Sequence, residues 1–128
     1  MSRKLICLLF VAALLMPALA MAAAEPDDFV VDSTQDLIDL CTTQPDNPLY
    51  TAAIHFCHGY LVGAYAYYEA ANAGPEGEQL VCFPDPAPSR NDAVKMFVDW
   101  AKAHPEFMNE PAVESEFRFL MEKWPCKE

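Results

Sequence analysis

The stretch that decides the fold is residues 47–75, NPLYTAAIHFCHGYLVGAYAYYEAANAGP. Asn47 suits an N-cap and Pro48 the first helical position, so a helix is predicted to start there. Leu49, Ala53, Ile54, Cys57, Tyr60, Leu61, Ala64, Tyr65, Tyr68 and Ala71 then recur at helical spacing on one broad face. Gly74-Pro75 ends the run. Gly59 and Gly63 lie inside it, where each costs about 1 kcal/mol relative to Ala. Being four apart they share a face, so Gly59 and Gly63, with Tyr60 on the neighbouring stripe, are expected to serve close helix packing. Tyr67 falls off the stripe.

Working outward, three more helices follow from the same period. Ser33 and Asp36 resemble a capping box with Asp in place of Glu, followed by Leu37, Ile38, Leu40 and Cys41 at helical spacing and an end near Thr42. Ser89 with Asp92 caps a third helix carrying Val94, Phe97, Val98, Ala101 and His104, which His104-Pro105 stops. Asn109 is the expected cap of a fourth, with Val113, Phe117, Leu120, Met121 and Trp124 predicted to face inward. Between the second and third, residues 74–89 hold four prolines, two glycines and three carboxylates with no apolar period, which marks a long loop. Strand-like alternation is absent. The fold class expected is all-α, a small four-helix domain.

The N-terminus stands apart from this domain. Arg3 and Lys4 precede the apolar run Leu5 to Leu15, and small residues crowd Ala18 to Ala24. That is the layout of a secretory signal peptide, with cleavage possible after Ala20, Ala22 or Ala24. We take residues 1–24 as the leader and 25–128 as the mature domain. The run is too short for a membrane span, which needs about 20 residues. All 19 carboxylates but only six of the eight basic residues lie in the mature part, so its formal charge is 6 − 19 = −13. So acidic a chain repels nucleic acid and anionic membranes, and neither is an expected partner.

Export also governs the cysteines. Cys7 leaves with the leader, and Cys41, Cys57, Cys82 and Cys126 remain. An even number in a small exported domain points to two disulfides. Three pairings are open to four cysteines; Cys41–Cys57 with Cys82–Cys126 is the one we favour. No Cys-x-x-Cys spacing supports zinc or redox chemistry. His55, Cys57 and His58 are the one dense group of metal-ligating types, but an ion would need further ligands, and a disulfide at Cys57 removes the thiolate. No nucleophile elbow, His-Glu-x-x-His pair or phosphate loop occurs, so neither an enzyme nor a cofactor is expected. Charge is unevenly spread: eleven carboxylates and no Lys or Arg lie between Glu25 and Asp85. An anionic face of this kind can steer and dock a basic partner.

Leu40-Cys41, Cys57-His58-Gly59-Tyr60-Leu61-Val62-Gly63, Cys82-Phe83-Pro84, His104-Pro105-Glu106, Pro111-Ala112 and Pro125-Cys126 together resemble the Tai-type immunity family. The resemblance spans Leu37 to Cys126. It implies a small helical periplasmic protein, often a homodimer, that plugs the active site of a peptidoglycan-cleaving cysteine amidase delivered by type VI secretion. It also maps the family's four cysteines onto Cys41, Cys57, Cys82 and Cys126. The segment Glu114 to Arg118 is more charged and aromatic than the family pattern. The function expected is stoichiometric inhibition, with the acidic loop residues Glu76, Glu78 and Asp85 as candidate partner contacts. The alternative is a periplasmic acid-stress chaperone of the small helical, disulfide-bonded type.

Overall fold

The computed structural model describes residues 23–127. The leader reading therefore lies, but for Ala23 and Ala24, outside the described residues. Four α-helices follow in order: α1 (Thr34–Cys41), α2 (Tyr50–Ala71), α3 (Arg90–Ala103) and α4 (Ala112–Lys123). Short 3-10 turns at Pro26–Val30 and Pro105–Phe107 precede α1 and α4. Among the described residues the only extended pairing is an isolated bridge between Val81 and Pro125.

The shortest helix is the hub, since α1 packs against each of the other three. Its apolar residues Leu37, Ile38 and Leu40 are buried, among Ala53, Cys57 and Leu61 of α2, Phe97, Val98 and Ala101 of α3, and Phe119 and Leu120 of α4. The expected capping box forms: Ser33 Oγ accepts from the Asp36 amide at 3.3 Å, and the Ser33 amide donates to Asp36 Oδ2 at 2.9 Å. The next two amides are satisfied from a distance, Thr34 by the Glu110 carbonyl at 2.8 Å and Gln35 by the Met108 carbonyl at 2.9 Å. Helix starts leave orphan donors, and here the α3–α4 connection meets them. The buried Thr34 and Ser115 hydroxyls, 2.7 Å apart, join α1 to α4.

Both expected disulfides are present. Cys41–Cys57 ties the end of α1 to α2, and Cys82–Cys126 ties the long loop to the C-terminal tail. Ala24 is 5% exposed, and its carbonyl accepts from Asn47 Nδ2 at 3.2 Å, so the chain is anchored from that point.

Three local expectations are corrected. Asn47 caps a turn and not the helix itself: its side chain accepts from the Leu49 amide at 2.8 Å, and α2 begins at Tyr50. Asn109 does not cap α4, which starts after Pro111. Leu120 is buried and Phe117 and Trp124 pack on the core as expected, but Val113 and Met121 are exposed, and the buried arc of α4 is Ala112, Ser115, Glu116, Phe119 and Leu120. The phase is set by the Phe119-Leu120 pair, and two polar residues are carried inside with it.

Gly59 and Gly63 also depart from the expected packing role within the chain. Both are exposed, and a Cβ built on either meets nothing within 4 Å. Helix α2 is apolar almost all round, so the glycine stripe faces outward while Ala53, Cys57 and Leu61 face the core. Tyr60 is half-buried against that core, and Tyr67, at 77% exposure, stands off it as expected. The glycine that close approach does require is Gly77, where a Cβ would fall on the backbone carbonyl of Asn72. Its own amide closes a turn onto the Gly74 carbonyl at 2.9 Å.

Candidate functional site

The long loop is fixed in place despite its lack of regular structure. The Cys82 amide donates to the Trp124 carbonyl at 2.8 Å, and the Cys126 amide to the Leu80 carbonyl at 3.3 Å, on either side of the disulfide. From α2, the Tyr68 hydroxyl oxygen accepts from the Leu80 amide at 2.6 Å and donates to the Glu78 carbonyl at 3.4 Å. Val81 is buried, and Phe83 packs its ring on Trp124 (4.7 Å) and Tyr65 (5.1 Å). A segment without helix or sheet is thus tied to α2, the core and the tail.

Glu76, Glu78 and Asp85 are all exposed on this loop. Among the described residues the ion pairs are Lys95 with Asp99 and Arg118 with Glu110, so the three loop carboxylates stay unpaired. The structure thus presents these candidates on one braced segment. It does not join them to Gly59 and Gly63, which occupy the outer face of α2 with Phe56, Val62 and Tyr67.

Beneath the loop is a cavity of about 110 Å³, walled by Leu61 and Tyr65 of α2, Phe83 of the loop, Arg90, Val94 and Phe97 of α3, and Glu116 of α4 among others. Its walls are nearly all carbon, apart from Arg90 at the start of α3 and Glu116. Glu116 is only 3% exposed, and its Oε2 has no hydrogen-bond partner among the described residues. Burial pushes the Glu116 carboxyl up to about 8, because water no longer stabilises the anion. Burial first, then the neighbouring Glu116, also raises the Tyr60 phenol.

Glu116 was missed in the sequence, although a signal was there. Counting back from Phe119 by three and four reaches Glu116 and Ser115, and one more such step reaches Ala112, a complete inward stripe. An acidic member of such a stripe is buried by its position.

A second cleft runs between α2 and the start of α3, lined by Ile54, His55, His58, Gly59, Arg90 and Asn91. His55 is exposed and His58 half-buried, and Cys57 beside them is oxidised. Among the described residues no three His, Cys, Asp or Glu side chains are grouped to hold a metal ion. His104 is engaged otherwise: its Nδ1 is 2.8 Å from the Trp100 carbonyl and its ring stacks on the Trp100 ring at 4.5 Å.

The model of the Rap1a immunity proteins matches residues 33–126, from the capping serine of α1 to the last half-cystine. The chain belongs to the Rap1a immunity protein family. No curated protein and no solved structure matches it. Rap1a membership makes this a type VI secretion immunity protein, whose partner is a cognate effector. The matched span takes in both disulfides, the braced loop and the Glu116 cavity. No helix among the described residues is long and apolar enough to cross a membrane.

Proposed function

We propose that this Rap1a protein is a Tai-type periplasmic immunity protein that blocks the active site of a peptidoglycan-cleaving amidase effector. The observation that carries the reading is the family match over residues 33–126, which contains a disulfide-braced loop bearing three unpaired carboxylates. Occlusion asks for a protrusion that keeps its shape in the free protein, because a preordered loop loses less entropy on docking. The Tyr68 hydroxyl, the Phe83 ring stack and the Cys82–Cys126 bond supply that order. Glu76, Glu78 and Asp85 give it the charge to attract a basic cleft rim. Delivery by the leader and oxidation of two cysteine pairs fit one oxidising compartment.

The outer face of α2 supports a homodimer as the working form. Phe56, Val62 and Tyr67 expose apolar surface there, and Gly59 and Gly63 leave the helix backbone open to close approach. The test is to mix the purified mature protein with a candidate amidase effector from the same genome and follow binding by calorimetry. A complex at or below micromolar concentration that abolishes peptidoglycan cleavage is expected. The triple variant Glu76→Gln, Glu78→Gln, Asp85→Asn should associate more slowly and with less salt dependence. Absence of a complex at micromolar concentration overturns the proposal.

A further inference from the structure

The cavity under the loop joins three features that have no structural use together. It has a volume of about 110 Å³, several times what one water molecule requires. Its walls are carbon contributed by three helices and Phe83. One of its few polar groups is a carboxyl that is 3% exposed, with Oε2 unpartnered among the described residues. A buried polar atom without a partner costs about 1–3 kcal/mol, and more if charged. A fold that needed only a filled core would place Leu or Met at this position.

The groups facing Glu116 are few. Tyr60 of α2 lies near enough to feel its charge, and Tyr65 of α2 and Arg90 at the start of α3 line the same cavity. Arg90 is exposed and makes no ion pair with Glu116. The carboxyl therefore sits in the wall of an otherwise apolar cavity, with Arg90 as the one cationic side chain on its border and no ion pair between the two. Chemical complementarity selects a hydrogen-bond donor that carries positive charge on a slim hydrocarbon stem. A carboxylate or phosphate would find no cation buried with it, since Arg90 is exposed, and a bulky ring is excluded by the volume.

We propose that this cavity is a binding site for a primary alkylammonium group, with the nitrogen on the Glu116 carboxylate and the stem against Leu61, Phe97 and Phe119. Two sources carry that chemistry, a lysine side chain of a bound protein and a free aliphatic amine. Entry of the ammonium group displaces the proton that Glu116 holds in the empty site. Binding therefore releases one proton and strengthens with rising pH. With the empty-site carboxyl at about 8, affinity should rise about 50-fold between pH 6 and pH 8. Arg90 opposes the incoming charge, so Arg90→Ala should tighten binding several-fold.

The experiment is calorimetric titration of the mature protein with n-butylammonium chloride at pH 6, 7 and 8, in buffers of different ionisation enthalpy. Resonances of Leu61 and Phe97 are followed by NMR in parallel. Saturable binding with release of a proton, the pH dependence above and loss of at least tenfold in Glu116→Gln are the expected results. Thermal melting of Glu116→Gln establishes that the variant is folded. Binding of N-acetyl-lysine methylamide as well would show that a protein side chain can reach the site. Binding of n-butylammonium alone would assign it to free amines. Equal binding of n-pentanol, binding unchanged in Glu116→Gln, or no shift at millimolar amine in either the natural protein or Arg90→Ala would each overturn the proposal. The effector is absent from this assay, so the result stands apart from the inhibitor reading.

Discussion

Replacing Glu116 by Gln keeps the shape of the side chain and removes its titration, which isolates the energetic cost of the buried carboxyl. In the folded protein the group is pushed up to about 8, against 4.5 for the ordinary carboxyl. Below pH 4.5 it is protonated whether the chain is folded or not, and contributes no penalty. As pH rises, the unfolded chain loses this proton while the folded chain retains it. Unfolding is then favoured by about 1.4 kcal/mol per pH unit. The loss stops once the folded carboxyl also ionises, near pH 8, and sums to about 5 kcal/mol. That is comparable to the whole stability of many small domains, about 5–15 kcal/mol. The assay is urea unfolding with disulfides intact, from pH 4.5 to pH 9, on the natural protein and Glu116→Gln. Every other carboxylate titrates in both, so the difference between the curves reports position 116. The two should be close in stability near pH 4.5, with the variant gaining several kcal/mol by pH 8.5. Parallel curves across the range would refute the reasoning, since they would mean that Glu116 is hydrated and titrates normally.

Three further expectations follow from the fold. Cys82→Ser with Cys126→Ser opens a loop of 44 residues and should cost about 4 kcal/mol on chain-entropy grounds, with amide exchange rising first in residues 74–89 and the tail. Gly77→Ala should lower the melting temperature, because the added methyl must displace the Asn72 backbone; an unchanged melting curve would contradict the close approach. The leader boundary taken above at Ala24 should move back to Ala20 or Ala22, with Ala24 retained in the mass spectrum of the exported protein, because Ala24 is buried and its carbonyl holds the Asn47 side chain.

Much of the fold could be read from residue spacing, and the failures share a cause. Ser33 with Asp36 and Ser89 with Asp92 act within four residues, so the sequence alone discloses them, and both cap as expected. The four helices and the loop were legible too, whereas the spacing left three cysteine pairings open and only the fold selects the sequential one. The inward arc of α4 is only partly legible: Phe117, Leu120 and Trp124 meet the core, but Val113 and Met121, large and apolar as they are, do not. Burial belongs to the arc that meets α1 and α3, and that arc includes Ser115 and Glu116. Gly59 and Gly63 mark a helix face that another backbone can approach, but sequence cannot say whether the approaching backbone is in the same chain. The loop's anchor, Tyr68, lay within the stripe assigned to the core, and only the fold shows its hydroxyl reaching residues ten or more positions away.

The two cystines do not overlap along the chain: the first closes between residues 41 and 57, the second between 82 and 126. A polypeptide that emerges N-terminus first can therefore seal its opening pair before the third sulfur arrives. Each thiol meets its correct mate in order of appearance, and a crossed linkage would have to wait for sulfurs not yet delivered. Under the export proposed above, vectorial release would work as its own proofreading, which suits a protein that must be ready before the toxin it answers.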